Sequence, residues 1–198
     1  MDNRQYSDLK DRIYENDTLA LERLVDMFYE RLTTFAKSII KSEELADEVV
    51  MDVFLRVWQN RKNIKKIDKI ETYLYVSVKN IAINYLKKER KTEFDVLDEA
   101  HITVASYDHT PEGSIISKEM LNEINQAVDL LPSKCKLIFK LIREDGLKRS
   151  EVAEILDLSV KTIDNQIAIA VKKIAETLRI DLSVPSNRSG IQLFLLTL

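Results

Sequence analysis

The sequence predicts an all-α protein made of two helical domains joined by an acidic linker, the second a four-helix domain that contains a helix-turn-helix. In a chain of 198 residues no Gly or Pro precedes Pro111, and so long a stretch without either residue favours helices. Apolar residues recur at three- and four-residue steps, except across residues 92–113, which carry six acids and no base. We therefore predict a first domain over residues 1–91, a linker over 92–113, a second domain over 114–180 and an apolar tail over 181–198.

Composition excludes several classes of protein. The net charge of −3 argues against wholesale non-specific binding to nucleic acid, although residues 61–91 carry ten Lys and Arg against three acids. The one cysteine, Cys135, lies far in sequence from His101 and His109, so neither a disulfide nor a metal site is expected. The N-terminus lacks the apolar core of a signal peptide, and no segment is long enough to cross a bilayer. We expect a cytoplasmic protein without membrane insertion.

The first domain is predicted to contain three long helices. We expect residues 1–16 to be a frayed lead-in and residues 17–41 to form a helix that begins at Asp17 or Thr18 and breaks near residue 31. A second helix should follow Ser42 over residues 42–58. Its inward positions are Ala46, Val49, Val50, Val53 and Val57. Five acids between residues 43 and 52 make its outer face negative; by residue type alone, a solvated acidic surface explains them.

A basic connection over residues 59–69 leads to a third helix near residues 70–90. Its predicted inward stripe is Ile70, Leu74, Val78, Ile81 and Tyr85. Around that stripe lie aromatic, amide and basic residues: Tyr73, Tyr75, Lys79, Asn80, Asn84, Lys87, Lys88, Arg90 and Lys91. Rings that stack on unpaired bases, with lysines along the phosphates, are typical of single-stranded nucleic acid sites. Tyrosines in bundle seams and lysines at a helix C-terminus are the structural alternative.

The second domain ends in a predicted helix-turn-helix over residues 146–167. Before it, a helix over residues 114–130 and a second one after Pro132 are expected, the latter ended by Gly146. Asp157 should take the left-handed turn and Ser159 should cap the last helix. The inward stripe of that helix is Val160, Ile163, Ile167, Ala170, Val171 and Ile174, and its polar face carries Lys161, Thr162, Asn165 and Gln166. Polar residues at this place could reach base edges, although a plain pair of core helices shows similar faces.

The order of these segments resembles the extracytoplasmic-function class of bacterial sigma factors, the two-domain promoter-recognition subunits of RNA polymerase. The resemblance rests on residues 44–58 (ELADEVVMDVFLRVW) and 71–88 (ETYLYVSVKNIAINYLKK) in the first domain. In the second domain it rests on residues 131–139 (LPSKCKLIF) and on the helix-turn-helix. These sequence motifs are most similar to those of the iron-transport-regulator-like branch of Bacteroidetes.

The resemblance implies roles for residues at matching positions. Core polymerase would be bound, at the clamp helices of its largest subunit, by Asp47, Met51, Asp52 and Leu55. The minus-ten element would be opened and held by Arg61, Lys62, Tyr73, Tyr75, Asn80, Asn84, Lys87 and Lys88. In the second domain Lys148 and Arg149 would grip phosphates, while Lys161, Thr162, Asn165 and Gln166 would read the minus-thirty-five element. Lys148 occupies a position where relatives often have a capping Ser, so Ser150 is expected to cap that helix. Asp164 occupies a position where relatives often have a basic residue.

The partners implied are core RNA polymerase, promoter DNA and an anti-sigma factor, which in the family is often anchored in a membrane. No cofactor, metal or small-molecule substrate is implied. One alternative is a helix-turn-helix transcriptional regulator that acts on duplex DNA without being a polymerase subunit. An enzyme acting on nucleic acid is the other, but the sequence has no phosphate loop and no metal cluster, so we expect no enzymatic activity.

Overall fold

The computed structural model describes residues 3–89 and 118–180, and the chain divides into two compact units, residues 1–96 and 97–198. The residues described contain helices and no strand, which confirms the all-α prediction. The predicted linker (92–113) and the apolar tail (181–198) lie outside the described residues.

Within residues 3–89, the first unit contains four α-helices and one short 3-10 helix. These are α1 (Asn3–Tyr14), α2 (Thr18–Ile39), α3 (Glu43–Gln59), the 3-10 helix Arg61–Lys66 and α4 (Ile70–Glu89). The predicted helix starts are confirmed by their hydrogen bonds. The Asp17 carboxylate accepts from the backbone N–H groups of Leu19 and Ala20, and the Ser42 hydroxyl accepts from that of Leu45. Each cap satisfies backbone donors that have no partner within the helix.

Apolar stripes of α2, α3 and α4 form the core of this unit. Fully buried side chains include Leu24, Phe28, Leu32, Phe35, Val50, Val53, Leu74 and Val78. The predicted break near residue 31 is wrong, because α2 runs unbroken past it and both Phe28 and Leu32 stay on its buried side. Arg31 instead pairs with Glu71 at 3.2 Å and thereby links α2 to α4.

The N-terminal segment is an ordered helix, and the prediction of a frayed lead-in is wrong. Leu9 and Ile13 lie one helical turn apart on α1, and their exposed fractions are 3% and 0%. A pair at this spacing covers one face of a helix, which here lies in the core of the unit. Because charged residues surround this pair, the sequence shows little apolar periodicity over α1.

The second unit is the predicted four-helix domain. It contains α5 (Lys118–Asp129), α6 (Ser133–Arg143), α7 (Arg149–Leu156) and α8 (Val160–Thr177). Gly146 ends the α6 segment with a φ of 72°, and Asp157 turns the chain between α7 and α8 with a φ of 58°. The Ser159 hydroxyl accepts from the backbone N–H of Thr162 and so caps α8. The predicted turn chemistry of the helix-turn-helix is confirmed at these three residues.

Two local predictions in this unit are wrong. Ser150 does not cap α7, because the helix already begins at Arg149; the Glu151 carboxylate instead accepts from the backbone N–H of Lys148 at 2.9 Å. Val160 does not face inward, since its exposed fraction is 45%. It is the first residue of α8, and the buried stripe begins one turn later at Ile163.

A buried carboxyl group lies just after α6. Burial raises the pKa of Glu144 from its ordinary 4.5 to about 7; the Lys140 ammonium lowers it again in part, and Asp145 and Asp129 add to the rise. Lys140 is itself buried and lies 3.9 Å from Glu144. Near neutral pH this carboxyl group therefore exists partly as the protonated acid.

Replacement of Ile13 by Ala should destabilise the protein by about 2–5 kcal/mol, because it leaves a cavity in a closed core. Leu19→Ala is the control, since Leu19 is 65% exposed and an exposed substitution of this kind costs about 0.5 kcal/mol or less. Urea unfolding followed by circular dichroism measures both. Equal, small effects of the two substitutions would show that α1 is not part of the core.

The stability of the second unit should fall as pH rises from 5 to 8. The folded unit holds the Glu144 proton more tightly than the unfolded chain does, so this stabilisation is present at low pH and is lost as pH rises through about 7. The expected change is on the order of 1–3 kcal/mol. Urea unfolding of Glu144→Gln across this range should show a flatter profile. The exposed Glu154→Gln on α7 should retain the slope, and a slope unchanged in Glu144→Gln would contradict the assignment.

Candidate polymerase and promoter interfaces

The outer face of α3 combines carboxylates with exposed apolar side chains. Met51 and Leu55 are 52% and 53% exposed, although both belong to a helix whose opposite side is closed by the core. Asp52 lies between them and pairs with Arg56 at 2.9 Å. Isolated exposed apolar residues are ordinary, but two of them one turn apart and flanked by acids form a surface that suits a basic, partly apolar helix.

Asp47 lies on the same helix but is partly engaged within the unit. It accepts a hydrogen bond from the Tyr29 hydroxyl of α2, and desolvation together with this carboxylate raises the pKa of Tyr29. The four residues expected to bind polymerase thus lie on one helix, with three of them pointing outward and Asp47 at the border with α2.

The helix α4 exposes most of the residues expected at the minus-ten element. Asn80, Asn84, Lys87 and Lys88 are exposed, and Tyr73 is 37% exposed. Asn84, Lys87 and Lys88 line one wall of a groove of about 600 Å³, and Glu48, Asp52 and Arg56 of α3 line the other. The groove therefore brings the acidic face of α3 and the basic end of α4 together.

Tyr75 is not available to DNA, and its prediction as a minus-ten residue is wrong. Its exposed fraction is 0%, and its ring packs edge-on against Phe35 at a centroid distance of 5.1 Å. The buried side of α4 includes Tyr75 and Ala82, whereas Ile81 and Tyr85, predicted to face inward, are only half-buried. The buried side of α4 therefore differs from the predicted one, and the ring of Tyr75 packs between α4 and α2.

The basic connection is ordered, and its first two cations bind other parts of the same unit. The Arg61 guanidinium lies over the Trp58 ring at 4.6 Å, and its Nε donates to Asn16 Oδ1 at 2.6 Å. Lys62 Nζ donates to the backbone carbonyl of Tyr14 at 2.8 Å. Both residues were expected to contact DNA, and the structure places them at a surface that they share with the end of α1.

The polar side of α8 bears the residues expected to read duplex DNA. Lys161 and Asn165 are exposed, and Thr162 and Gln166 are half-buried. The Thr162 hydroxyl lies 2.8 Å from that of Ser159, so the helix cap also orients this side chain. All four lie within the first two turns of α8, the part of a recognition helix that reaches base edges.

On the buried side of α8, Cys135 of α6 forms a hydrogen bond with the backbone of α8. Its thiol donates to the backbone carbonyl of Gln166 at 3.2 Å, and burial raises its pKa to about 11. A thiol of this pKa is a poor nucleophile at neutral pH. Cys135 is therefore a packing residue.

An ion pair joins the two helices of the motif on their outer surface. Arg149 Nε lies 3.2 Å from Asp164 Oδ1, and both side chains are about half exposed. Arg149, expected to grip a phosphate, therefore already has an anionic neighbour, while Lys148 is exposed. The sequence indicates that Asp164 is an unusual acidic residue on this face. It does not indicate that Arg149 is its partner, because this pairing depends on how α7 and α8 cross.

Within residues 3–89 and 118–180 no group of three or more His, Cys, Asp or Glu side chains could hold a metal ion. None of the helices described is long and apolar enough to span a membrane.

Comparison with known protein families gives two matches. Sigma-70 region 2 matches residues 24–92, which contain most of α2 and all of α3 and α4. Sigma-70, region 4 matches residues 121–174, which contain the helix-turn-helix. Together the two matches cover more than half of the chain, and each coincides with one of the two units.

Curated relatives agree with these matches. The chain is 23% identical to the ECF RNA polymerase sigma factor SigW of Bacillus subtilis over 163 residues, which are 79% of this chain and 87% of that protein. It is 25% identical to the ECF RNA polymerase sigma-E factor of Haemophilus influenzae over 169 residues, 80% and 87% of the two chains.

A solved structure shows the same fold. It is a co-crystal structure of the sigma factor RpoE in complex with the anti-sigma factor NepR from Bartonella quintana. The match has a TM-score of 0.51 and 18% sequence identity, and it covers 81% of this chain and 97% of the other. On the two family matches and these relatives, the chain belongs to the sigma-70 family of RNA polymerase sigma factors, in its extracytoplasmic-function class.

Proposed function

We propose that this sigma factor, which directs core RNA polymerase to promoters, docks on the polymerase through Asp47, Met51, Asp52 and Leu55. The observation that carries the proposal is the exposure of Met51 and Leu55 beside Asp52 on α3. Apolar anchors surrounded by charged residues are typical of binding surfaces between proteins. The Asp52–Arg56 pair is exposed, so a basic residue of the polymerase can replace Arg56 at little cost.

The minus-ten element is proposed to lie along α4. Asn80, Asn84, Lys87 and Lys88 are exposed there, and Tyr73 offers a partly exposed ring. Melting requires single-stranded DNA to be bound more tightly than the duplex, and amides, rings and ammonium groups on one helix supply hydrogen bonds, stacking and phosphate contacts. With Tyr75 removed from this set, Tyr73 is the stacking candidate on α4, and Arg61 and Lys62 contribute from the 3-10 helix.

The minus-thirty-five element is proposed to be read by Lys161, Thr162, Asn165 and Gln166. Asn and Gln can form paired hydrogen bonds with adenine in the major groove, and Lys can donate to guanine. Lys148 and Arg149, at the start of α7, are placed to contact phosphates. Asp164 neutralises part of this positive charge and accepts hydrogen bonds, so it tunes both affinity and base preference.

The alternative, a regulator that binds duplex DNA without polymerase, is not favoured. Such a protein needs only the helix-turn-helix, whereas the region 2 match covers most of α2 and all of α3 and α4 in the first unit. Sigma factors as a class are not enzymes, and we propose no enzymatic activity for this member.

Further aspects of the proposal rest on kinship. The co-crystal structure named above contains an anti-sigma factor, and we propose that this chain too is held by one; membrane anchoring of that partner remains a prediction. Cytoplasmic location is proposed because core polymerase works there. Membership of the iron-transport-regulator-like branch is supported by the sequence motifs alone. The boundaries proposed for the domains are 1–91 and 114–180.

Replacement of Asp52 by Arg should abolish co-elution with bacterial core RNA polymerase. The substitution reverses the charge at the centre of the α3 face and places Arg next to Arg56. Asp26→Arg on α2 is the matched control, because Asp26 is exposed and the change in charge is identical. Size-exclusion chromatography of each variant with core polymerase measures the effect. Retained binding by Asp52→Arg, or equal loss in both variants, would argue against docking through α3.

Asn165→Ala and Lys148→Gln should weaken promoter binding in different ways. The probe is a duplex selected by the holoenzyme from a random library. Asn165→Ala should lose about 1–3 kcal/mol of binding and relax the preference at one base pair. Lys148→Gln should weaken all duplexes alike and reduce the slope of log K against log salt by about 0.9. Fluorescence anisotropy over a salt series separates the two outcomes. An Asn165 variant with unchanged base preference would remove Asn165 from the reading set.

A further inference from the structure

The basic 3-10 helix is held by side chains and backbone groups of α1 and of the turn that follows it. Arg61 Nε donates to Asn16, Lys62 Nζ donates to the Tyr14 carbonyl, and Lys65 pairs with Asp11 at 3.0 Å. At the end of the same segment, Lys10 Nζ of α1 donates to the carbonyl of Ile67 at 2.9 Å. The helix α1, which contains no residue expected to bind DNA, thus sets the position of the cations in this segment.

Tyr14 brings two of these cations to one place. Lys62 Nζ lies 4.4 Å from the centroid of its ring, and Lys65 Nζ lies 4.2 Å from it. An aromatic ring attracts ammonium groups through its quadrupole, so Tyr14 holds the ammonium groups of both lysines at its ring. Both lysines remain exposed, so the pair is open to an anion from solvent.

Asp11 lies on the same surface and opposes the binding of an anion there. Its carboxylate accepts from Lys65 and raises the pKa of that ammonium group. The side chains of Lys65 and Asp11 are 45% and 59% exposed. An ion pair as exposed as this one contributes little to stability, so a phosphate group can displace the carboxylate.

We propose that Lys62 and Lys65, both held against the ring of Tyr14, form a phosphate-binding pair for single-stranded DNA that Asp11 partly neutralises until DNA binds. The ligand is the sugar–phosphate backbone, not a base. This inference rests on the proposed function, since the 3-10 helix immediately precedes α4 and its proposed minus-ten residues. It adds Tyr14 as a positioning residue and Asp11 as a competitor of the phosphate.

Two arguments favour backbone phosphates over bases at this place. The Tyr14 ring is already covered by ammonium groups, so stacking would have to displace them. The ring and the carboxylate also reduce the freedom of two long side chains, and a pre-organised pair loses less entropy on binding than two mobile lysines do.

The test measures binding of a fluorescent twelve-residue oligo-dT strand to the full chain by anisotropy over a salt series. Asp11→Asn should tighten binding about two- to fivefold, because it removes the competing carboxylate. Asp8→Asn is the matched control on the same helix, since Asp8 is exposed and approaches Arg12, not the 3-10 helix; it should leave binding unchanged. If Asp11 served only to fasten α1, its removal would weaken binding or leave it unchanged, and either result overturns its role as competitor.

The role of Tyr14 is tested with the same strand. Tyr14→Leu should weaken binding about two- to fivefold through loss of the cation–π contacts, while Tyr14→Phe retains the ring and should bind like the wild type. Lys65→Gln should reduce the salt slope by about 0.7. Urea unfolding of each variant shows whether the fold is intact, and an intact Tyr14→Leu variant with unchanged binding overturns the proposal, as does a wild type that does not bind the strand at low salt.

Co-elution of the same variants with core polymerase separates this inference from the proposed function. All of them should still bind core polymerase, because none of the substituted residues lies on the α3 face. If the wild type binds polymerase but the Asp11 and Tyr14 variants bind DNA as it does, the phosphate pair fails and the sigma function stands. If the wild type does not bind polymerase at all, the proposed function fails whatever the DNA result.

Discussion

Burial of one side of α3 against α2 and α4 is the interaction on which the first unit depends. Val49, Val50, Val53, Phe54 and Val57 are all at most 3% exposed. A helix has only one such side, so the remaining positions are forced outward, and among them are Met51 and Leu55. The surface proposed to bind polymerase is thus the side of α3 opposite the core. The packing of the buried side holds this surface in place.

In the second unit, the turn between α7 and α8 determines which side chains α8 presents. Asp157 in the left-handed conformation reverses the chain after α7, and Ser159 starts α8 two residues later. A left-handed residue other than Gly is strained, and Asp is among those that tolerate it best. The buried Ile163 and Ile167 then fix how α8 rotates about its own axis, which determines that Lys161 and Asn165 face solvent. The turn at Asp157 and the buried stripe of α8 together determine the direction in which the recognition residues point.

The sequence predicts those parts of the structure that a single helix determines by itself. The starts of α2, α3 and α8 and the outward side of α3 follow from a period and a few capping residues, and these were predictable. Errors arose where a second element decides the outcome. Tyr75 is polar enough for a surface but fills the seam with α2, and α1 offers only Leu9 and Ile13 as a signal among charges. The contacts of Arg61 and Lys62 with α1 join residues more than forty positions apart, which no local pattern shows.

Each of the three proposed binding surfaces contains an exposed ion pair formed by residues of the same unit. Asp52 pairs with Arg56 on α3, Lys65 with Asp11 beside the 3-10 helix, and Arg149 with Asp164 on the helix-turn-helix. Such pairs contribute about 0–1 kcal/mol each, so a partner of the right charge can replace one member at little cost. Until then, each pair reduces the net charge that its surface presents to nucleic acid or to other proteins. Because non-specific binding to DNA depends on uncompensated cations, internal pairing favours partners that also make the specific contacts around each pair.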